Sequence, residues 1–330
     1  MAMRLKLVPD DTNWDFFRWS TITFGVSTAL VIASMIAFLT VGVNFGIDFK
    51  GGTTIRTEST AAVDVGIYRA ALEKLDLGDV SVNEVFDPSF GPNKHVAMLR
   101  IQAQEGREAV SPEMIATIEA ALRVIDPTIT FPSVESVGPK VSGELVWSAV
   151  LAVGLALVGI ATYVWLRFEW QFAIGALISL FHDVALTLGV FVLFQIKFDL
   201  SIIAALLTIL GYSINDTVVV FDRERENLIK YKTTPLREVL NRSINETMAR
   251  TVMTASTTLI SLIVLLVLGG DVIRGFVFAM TFGVIVGTYS SIYVASNYVL
   301  YLGVRRDWGK PVEGAAGTQF PTNGNGKTGA

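Results

Sequence analysis

Two aspartates interrupt long apolar stretches and are the residues of this chain best placed to do chemistry. Asp183 is the fourteenth residue of the stretch 170–196, and Asp216 lies in the stretch that begins at residue 200. An ionised side chain near the middle of a membrane span costs about 2.5–3.5 kcal/mol on insertion scales, so each needs a reason. A buried carboxyl group can bind or release a proton when a local charge or water changes. These two residues are therefore candidates for carboxyl groups whose protonation depends on their surroundings.

The neighbours of Asp216 give it a polar helix face. Steps of four residues back along the chain reach Tyr212 and Thr208, and Asn215 widens this face. The alternative is that the helix ends early and leaves Asp216 in water. The apolar residues 218–221 that follow argue against this alternative.

Asp183 has a different setting. Its four-residue steps pass Gly175, Ser179 and Thr187, a small and polar stripe that should face other helices. Asp183 is therefore predicted either to support the chemistry or only to accept hydrogen bonds that fix packing. His182 is expected to point elsewhere, at a helix interface.

Arg250 opens the fifth apolar stretch. On spacing alone it is either a boundary residue that extends its charge to the membrane surface or a partner for a carboxylate. Thr254, Thr257 and Ser261 continue its face at helical steps.

Composition restricts the classes of function. Of 330 residues, 52% are apolar and 17% charged, which argues against a soluble protein. The absence of Cys excludes disulfides and thiolate sites, and two His make a His-rich metal centre improbable. The net charge of −4 gives little support for nucleic-acid binding. We expect no catalytic residue, no metal and no cofactor.

The elements that position the aspartates are six predicted transmembrane helices and one water-soluble domain. Residues 48–143 hold 14 acidic and 9 basic residues and alternate like a small α+β unit of order βαββαβ, a ferredoxin-like arrangement. Residues 1–18 form the N-terminus and residues 305–330 a glycine-rich tail that is predicted to be disordered. The predicted spans are residues 19–47 and then, within 144–304, residues 145–166, 170–196, 200–221, 251–270 and 275–304.

The basic residues predict the orientation. They concentrate before the first span, between the fourth and fifth spans and after the sixth, and these segments should remain in the cytoplasm. Both termini are then cytoplasmic and the α+β domain is extracytoplasmic, in a multi-pass membrane protein. The residues that decide this are Arg4, Lys6, Arg18, Arg223, Arg225, Lys230, Lys232, Arg237, Arg242, Arg250, Arg305, Arg306, Lys310 and Lys327, against Lys197 and Arg274 on the other side.

The last span carries a stripe of small residues every four positions. Such a stripe allows close helix contact, and packing is the favoured interpretation, with pore lining as the alternative. We expect the stripe to pack against a helix of a partner. Its members are Gly275, Ala279, Gly283, Gly287 and Ser291.

Five strings of residues resemble the SecF family of the bacterial protein-export (Sec) translocase, which belongs with SecD in the resistance-nodulation-division superfamily. The resemblance covers about residues 15–305, and the strings together are highly specific. They are residues 46–53 (GIDFKGGT), 211–223 (GYSINDTVVVFDR), 241–245 (NRSIN) with Arg250 and Thr251, 287–291 (GTYSS), and His182 with Asp183.

This resemblance implies a subunit in the bacterial cytoplasmic (inner) membrane that pairs with SecD in a pseudo-symmetric set of twelve spans and couples the proton gradient to protein export. It implies that Asp216 transfers protons and that Arg250 is its charged neighbour, with weaker support for Asp183. Further implied partners are the protein-conducting channel, the exported unfolded polypeptide and membrane lipid.

Three alternatives stay open beside it. A half-size exporter of lipids or small molecules would share the spans and the external domain. A scaffold subunit would have no proton role. An intramembrane aspartyl protease also needs two buried acids, but its Tyr-Asp and Gly-x-Gly-Asp contexts are missing.

Overall fold

A computed structural model describes residues 8–9, 12–75, 77–78, 80–86, 94–103 and 110–304. The tail predicted to be disordered, residues 305–330, lies outside the described residues, as do residues 1–7. The described part contains six helices long and apolar enough to cross a membrane, and one four-stranded antiparallel sheet. The number of long apolar helices agrees with the sequence prediction.

The six long helices follow one another with short connections, except where the sheet unit is inserted after the first. A single 3₁₀ turn (Phe16–Trp19) precedes the first helix, and the sixth continues through a π-helical turn (Ser291–Ala295) into α10 (Ser296–Leu302). The helices are α1 (Ser20–Thr40), α5 (Pro139–Arg167), α6 (Trp170–Leu193), α7 (Leu200–Lys230), α8 (Leu236–Leu268) and α9 (Asp271–Ser290).

The first predicted span, residues 19–47, is too long. Helix α1 ends at Thr40, and Gly42 then has a left-handed φ of 77°. The chain continues in an extended form in which the Phe198 amide donates to the Asn44 carbonyl oxygen at 2.9 Å. Hydropathy does not detect this change because the extended segment is as apolar as the helix before it.

The helices that contain the predicted fourth and fifth spans are longer than those spans. Helix α7 extends to Lys230 instead of residue 221, and α8 begins at Leu236 instead of residue 251. A helix of 31 residues is about 46 Å long, which exceeds the roughly 30 Å hydrocarbon core. The polar ends remain helical because they pair with each other, as Arg223 does with Glu246 through an Nε–Oε2 distance of 2.6 Å. Hydropathy detects only the apolar part of each helix.

The sheet unit has the strand order β2-β3-β1-β4, and every neighbouring pair is antiparallel. Two helices begin at the side-chain caps Asp64 and Ser111. The elements in chain order are a single turn α2 (Ile47–Lys50), then β1 (Gly52–Ser59), α3 (Val65–Glu73), β2 (Val80–Val85), β3 (His95–Gln102), α4 (Pro112–Ile125) and β4 (Thr130–Val137).

One face of the sheet is apolar and the other is polar, as the period of two along a strand requires. Ile55 and Leu99 are opposite each other in the register and pack with Leu72 and Leu122 of the helices. All four are fully buried. The opposite face borders a cavity of about 780 Å³ between the sheet and the ends of the long helices, and Arg100 lies in its wall.

The long helices are not equally buried. Helices α6, α7 and α9 supply the centre of the bundle, whereas nearly all apolar side chains of α1 and α5 are exposed or only half-buried. Leu39 and Leu166, for example, are 79% and 80% exposed. Such faces need lipid or apolar helices of another protein around them.

Candidate functional site

Asp216 lies in the contact between α7 and α8. Its side chain is buried, and its Oδ1 accepts a hydrogen bond of 3.0 Å from the Thr251 hydroxyl group. Its Oδ2 is buried without a hydrogen-bond partner among the described residues. The carboxyl group is thus half satisfied, which leaves one oxygen free to carry a proton or to accept a new donor.

Arg250 precedes Thr251 and is exposed. Its positive charge acts on Asp216 by Coulomb attraction, but within the described part of the chain the two form no ion pair within 4.0 Å. Helix α8 therefore presents two features to Asp216, a hydroxyl group in contact and a cation at longer range. A small rotation of the flexible Arg250 side chain changes the distance of its charge from Asp216 without disturbing the hydrogen bond from Thr251.

The predicted polar face around Asp216 does not assemble. Thr208 and Asn215 are exposed, and the Thr208 hydroxyl donates to the Ala204 carbonyl oxygen of its own helix. Tyr212 is half-buried beside an apolar cluster. None of the three is hydrogen-bonded to Asp216 in the described structure, because its carboxyl group turns towards α8.

Asp183 lies where α6, α7 and α9 meet and is fully buried. Its Oδ2 accepts hydrogen bonds from the Ser213 hydroxyl at 2.6 Å and from the Ser290 hydroxyl at 2.9 Å. Its Oδ1 lies 3.0 Å from Nδ1 of His182. The expected stripe along α6 does face other helices, and Ser179 and Thr187 are fully buried.

The expectation that His182 points away from Asp183 is wrong. The side chain folds back onto its neighbour, while its ring lies 6.2 Å from that of Tyr289, at a tilt of 30°. Side chains at adjacent helix positions point about 100° apart. The imidazole ring is long enough for its Nδ1 atom to reach the carboxyl group of the next residue in spite of this angle. The interface part of the expectation stands, since His182 is buried between helices.

The small-residue stripe of α9 packs against α7 of the same chain, so the expectation of a partner's helix at this stripe is wrong. A Cβ atom on Gly283 would collide with the Ile209 side chain, and one on Gly287 would lie 3.1 Å from Cβ of Ser213. One on Gly275 would lie 3.5 Å from Ile202. Ala279 and Ser291 are fully buried.

Sequence reasoning missed the direct contacts of both aspartates. Thr251, Ser213 and Ser290 supply them from neighbouring helices. Hydroxyl residues are frequent along these helices, and many donate to their own backbone four residues earlier, as Thr254 does to Arg250. Spacing within one helix does not distinguish a hydroxyl group that donates to an aspartate of another helix from one that donates to its own backbone.

Residues 46–53 connect the helical bundle to the sheet. Oδ2 of Asp48 accepts a hydrogen bond from the Leu200 amide at the start of α7, at 3.0 Å. Gly51 and Gly52 have φ values of 76° and 142°, which disfavour other residues. A Cβ atom on Gly52 would also collide with the carbonyl oxygen of Ile101. The two glycines thus let β1 start directly against β3.

Residues 241–245 hold the segment before α1. The Phe16 amide donates to Oδ1 of Asn241 and the Trp14 amide to Oδ1 of Asn245, both at 2.8 Å. Both asparagine Nδ2 groups donate back to the Trp14 carbonyl oxygen at 2.9 Å. An ion pair between Arg237 and Asp15 adds to this attachment.

Two family models match the chain. The C-terminal model of the protein export membrane proteins SecD/SecF matches residues 117–305, and the SecD/SecF GG motif matches residues 36–63. The first model covers more than half of the chain, and the second includes the segment that joins α1 to the sheet.

Similar proteins extend over nearly the whole chain. The protein translocase subunit SecF of Cereibacter sphaeroides is 67% identical over 97% of this chain and 98% of its own length. The protein translocase subunit SecDF of Brucella abortus is 37% identical over 92% of this chain, which spans 39% of it. In the crystal structure of SecDF from Thermus thermophilus, a translocon-associated membrane protein, the match has a TM-score of 0.78 and 35% identity over 90% of this chain and 39% of that one. On these matches the chain belongs to the SecF family of protein-export membrane proteins.

Proposed function

We propose that this chain is the subunit of a protein translocase that couples the proton gradient to the export of proteins across the cytoplasmic membrane, with Asp216 as its proton carrier. The observation that carries this proposal is the half-satisfied carboxyl group of Asp216. Thr251 supports either protonation state, since a hydroxyl donates to a carboxylate and accepts from an acid.

The mechanism follows from the position of Arg250. When water reaches Asp216 from one side, the acid releases its proton and Arg250 stabilises the resulting anion. When the arginine moves away, the anion lies in a low-dielectric helix contact and takes up a proton from the other side. A shift of one pKa unit corresponds to about 1.4 kcal/mol, so a small movement suffices to load or unload the site.

A SecD-like subunit is the partner in this proposal. The SecDF relatives contain this chain's equivalent within one longer polypeptide, of which it forms about two fifths. The exposed apolar sides of α1 and α5 offer the area that a second six-helix unit would cover. The protein-conducting channel and the exported polypeptide are further partners of the proposed complex, and lipid covers the rest.

The sheet unit lies outside the cytoplasm in this proposal, as a ferredoxin-like domain, and both termini lie inside. Its strand order β2-β3-β1-β4 supports that fold type. The sheet lies near the α6–α7 connection, which holds the single basic residue Lys197. The α7–α8 connection and its helix ends hold many basic residues, which favours the cytoplasm.

Replacement of Asp216 by Asn tests the proposal. The amide keeps the shape of the side chain and a hydrogen bond with Thr251 but cannot ionise. We expect Asp216→Asn to insert and assemble normally and to reduce export to the level that wild type shows with an uncoupler. The measurement is export of a secreted protein into inverted membrane vesicles with and without an uncoupler, at matched levels of the complex.

Asp222→Asn is the matched control, since this aspartate of the same helix is exposed and pairs with Arg167 at 2.8 Å. It should leave the uncoupler-sensitive part of export intact. If Asp216→Asn exports as well as wild type and remains equally sensitive to uncoupler, the proton role lies elsewhere and the chain is a scaffold.

A further inference from the structure

Helix α7 carries a second buried acid, Glu224, that the mechanism above does not use. Its side chain is fully buried, and neither carboxyl oxygen has a hydrogen-bond partner among the described residues. The Ser296 hydroxyl group lies beside it. An unpaired charge in such surroundings is strongly disfavoured, so the neutral acid is the form that fits this site.

The charged side chains at this end of the bundle are engaged with one another. Arg223 pairs with Glu246 and Glu226, and Arg167 pairs with Asp222. Within the described part of the molecule, no ion pair includes Glu224 itself. The acid is therefore not the buried half of a salt bridge that fixes the fold.

Glu224 faces the helices around Asp183 rather than α8. It follows Ser213 by eleven residues and Thr217 by seven, and both steps return to nearly the same side of an α-helix. It follows Asp216 by eight residues, which turns it about 80° away. The side of α7 that binds Asp183 through Ser213 is thus the side on which Glu224 lies.

A second row of hydroxyl groups faces this side from the sixth helix. Ser290 donates to Asp183, and the Ser291 hydroxyl lies 3.0 Å from that of Thr217. The helix then makes its π-helical turn and brings Ser296 beside Glu224. Every hydroxyl in the two rows is buried, with at most 1% exposure. π-Helical turns within α-helices occur frequently at functional sites.

We propose that Glu224 is a second proton-binding carboxyl group, which exchanges protons with Asp183 along the buried hydroxyl groups of Ser213, Ser290, Thr217, Ser291 and Ser296, with water bridging the steps at which two hydroxyl groups are not in contact. This rests on the proposed proton-coupled function and places a second carboxyl group on the same proton path, in series with Asp216. In each transfer the Glu224 acid loses a proton, each hydroxyl or bridging water passes one on as it accepts one, and the Asp183 carboxylate becomes the acid. Asp183 then releases this proton and Glu224 takes up the next one, so protons and charge balance.

Infrared spectroscopy of the membrane-embedded complex tests the protonation of Glu224 directly. The protein is labelled with carbon-13 at the glutamate side-chain carboxyl group, and the carbonyl stretch of a neutral glutamic acid is followed between acidic and neutral pH. We expect an isotope-shifted band at neutral pH that Glu224→Gln removes and Glu226→Gln retains. Glu226 is the matched control because it is exposed on the same helix. Absence of the band in the wild-type protein would overturn the proposal.

Proton uptake into vesicles that contain the complex tests the route. Glu224→Gln keeps the volume and hydrogen-bonding groups of a neutral acid, so a purely structural glutamate would tolerate it. We expect at least a tenfold loss of uptake, which corresponds to ~1.4 kcal/mol in the barrier. Ser291→Ala removes one hydroxyl group without touching a carboxyl group and should slow uptake in the same direction. Wild-type uptake in both variants contradicts the route even where the infrared band is present.

The two proposals fail separately. If Asp216→Asn leaves uncoupler-sensitive export unchanged while Glu224→Gln loses both band and uptake, the error lies in the role of Asp216. If Asp216→Asn abolishes coupling and Glu224→Gln behaves as wild type, the second proton-binding group is wrong and the proposed function stands.

Discussion

At the scale of single residues, an asparagine fixes the chain before α1. Asn241 accepts from the Phe16 amide and donates to the Trp14 carbonyl oxygen, so one side chain satisfies two backbone groups. We expect Asn241→Ala to release this segment, because the Phe16 amide loses its acceptor. A neutral hydrogen bond contributes a net of about 1 kcal/mol, so exchange of this amide with deuterium should become about fivefold faster. Mass spectrometry of the exchanged chain measures this.

Asn241→Asp is the matched control, since the carboxylate keeps the acceptor for the Phe16 amide. Its exchange rate should stay near that of wild type. Equal exchange in Asn241→Ala and wild type would show that the 3₁₀ turn holds this segment without the side chain.

At the scale of elements, close contact between α7 and α9 depends on glycine. A Cβ atom on Gly283 would collide with Ile209 in the centre of the bundle. We expect Gly283→Leu to destabilise the chain itself, by about 1–3 kcal/mol or more, because the side chain overfills a packed contact. The midpoint of denaturation in detergent should fall accordingly.

Gly154→Leu gives the comparison, since a Cβ atom on Gly154 of α5 meets no atom within 4 Å. It should leave the midpoint nearly unchanged. If Gly283→Leu had a wild-type midpoint and yet released a copurifying partner, the stripe would belong to the interface with that partner instead.

At the scale of the whole molecule, two basic side chains lie near each other where the sheet borders the helical bundle. Lys197 of the α6–α7 connection lies near Arg100 of β3, and desolvation, together with this arginine, lowers the pKa of Lys197 from 10.5 to about 8. Asp199 opposes the shift. Below pH 8 the lysine is charged in the folded and the unfolded chain, so the folded chain is destabilised by the full free-energy cost of holding this charge in a desolvated site near Arg100. Between about pH 8 and 10.5 the unfolded chain binds more protons, so stability rises with pH.

Replacement of Lys197 by Met should therefore raise the denaturation midpoint at pH 7 and remove its rise between pH 8 and pH 10. Scans of the midpoint against pH in detergent measure both effects. Lys140→Met, at the exposed start of α5, is the control and should retain the rise. A wild-type pH profile in Lys197→Met would show that the sheet and the bundle do not hold this lysine in a desolvated contact.

The sequence by itself determined the number of long apolar helices, the insertion of a small sheet unit after the first of them and the family. These properties are local: an apolar stretch, an alternation of period two and a signature string can each be read within a few tens of residues. The same locality explains the errors at helix ends, since α7 and α8 continue beyond the apolar stretch through contacts with each other, such as that of Arg223 with Glu246.

Only the tertiary structure decided which side chains meet. The sequence selected Asp216 and Asp183, but Thr251, Ser213 and Ser290 became their partners because particular helices pack side by side at those heights. Thr208 and Asn215 share a helix with Asp216 and still miss its carboxyl group. A side chain reaches over only a fraction of the helix circumference, so the direction in which a neighbouring helix lies determines the contact. That direction depends on the packing of the whole bundle, which no spacing along a single helix encodes.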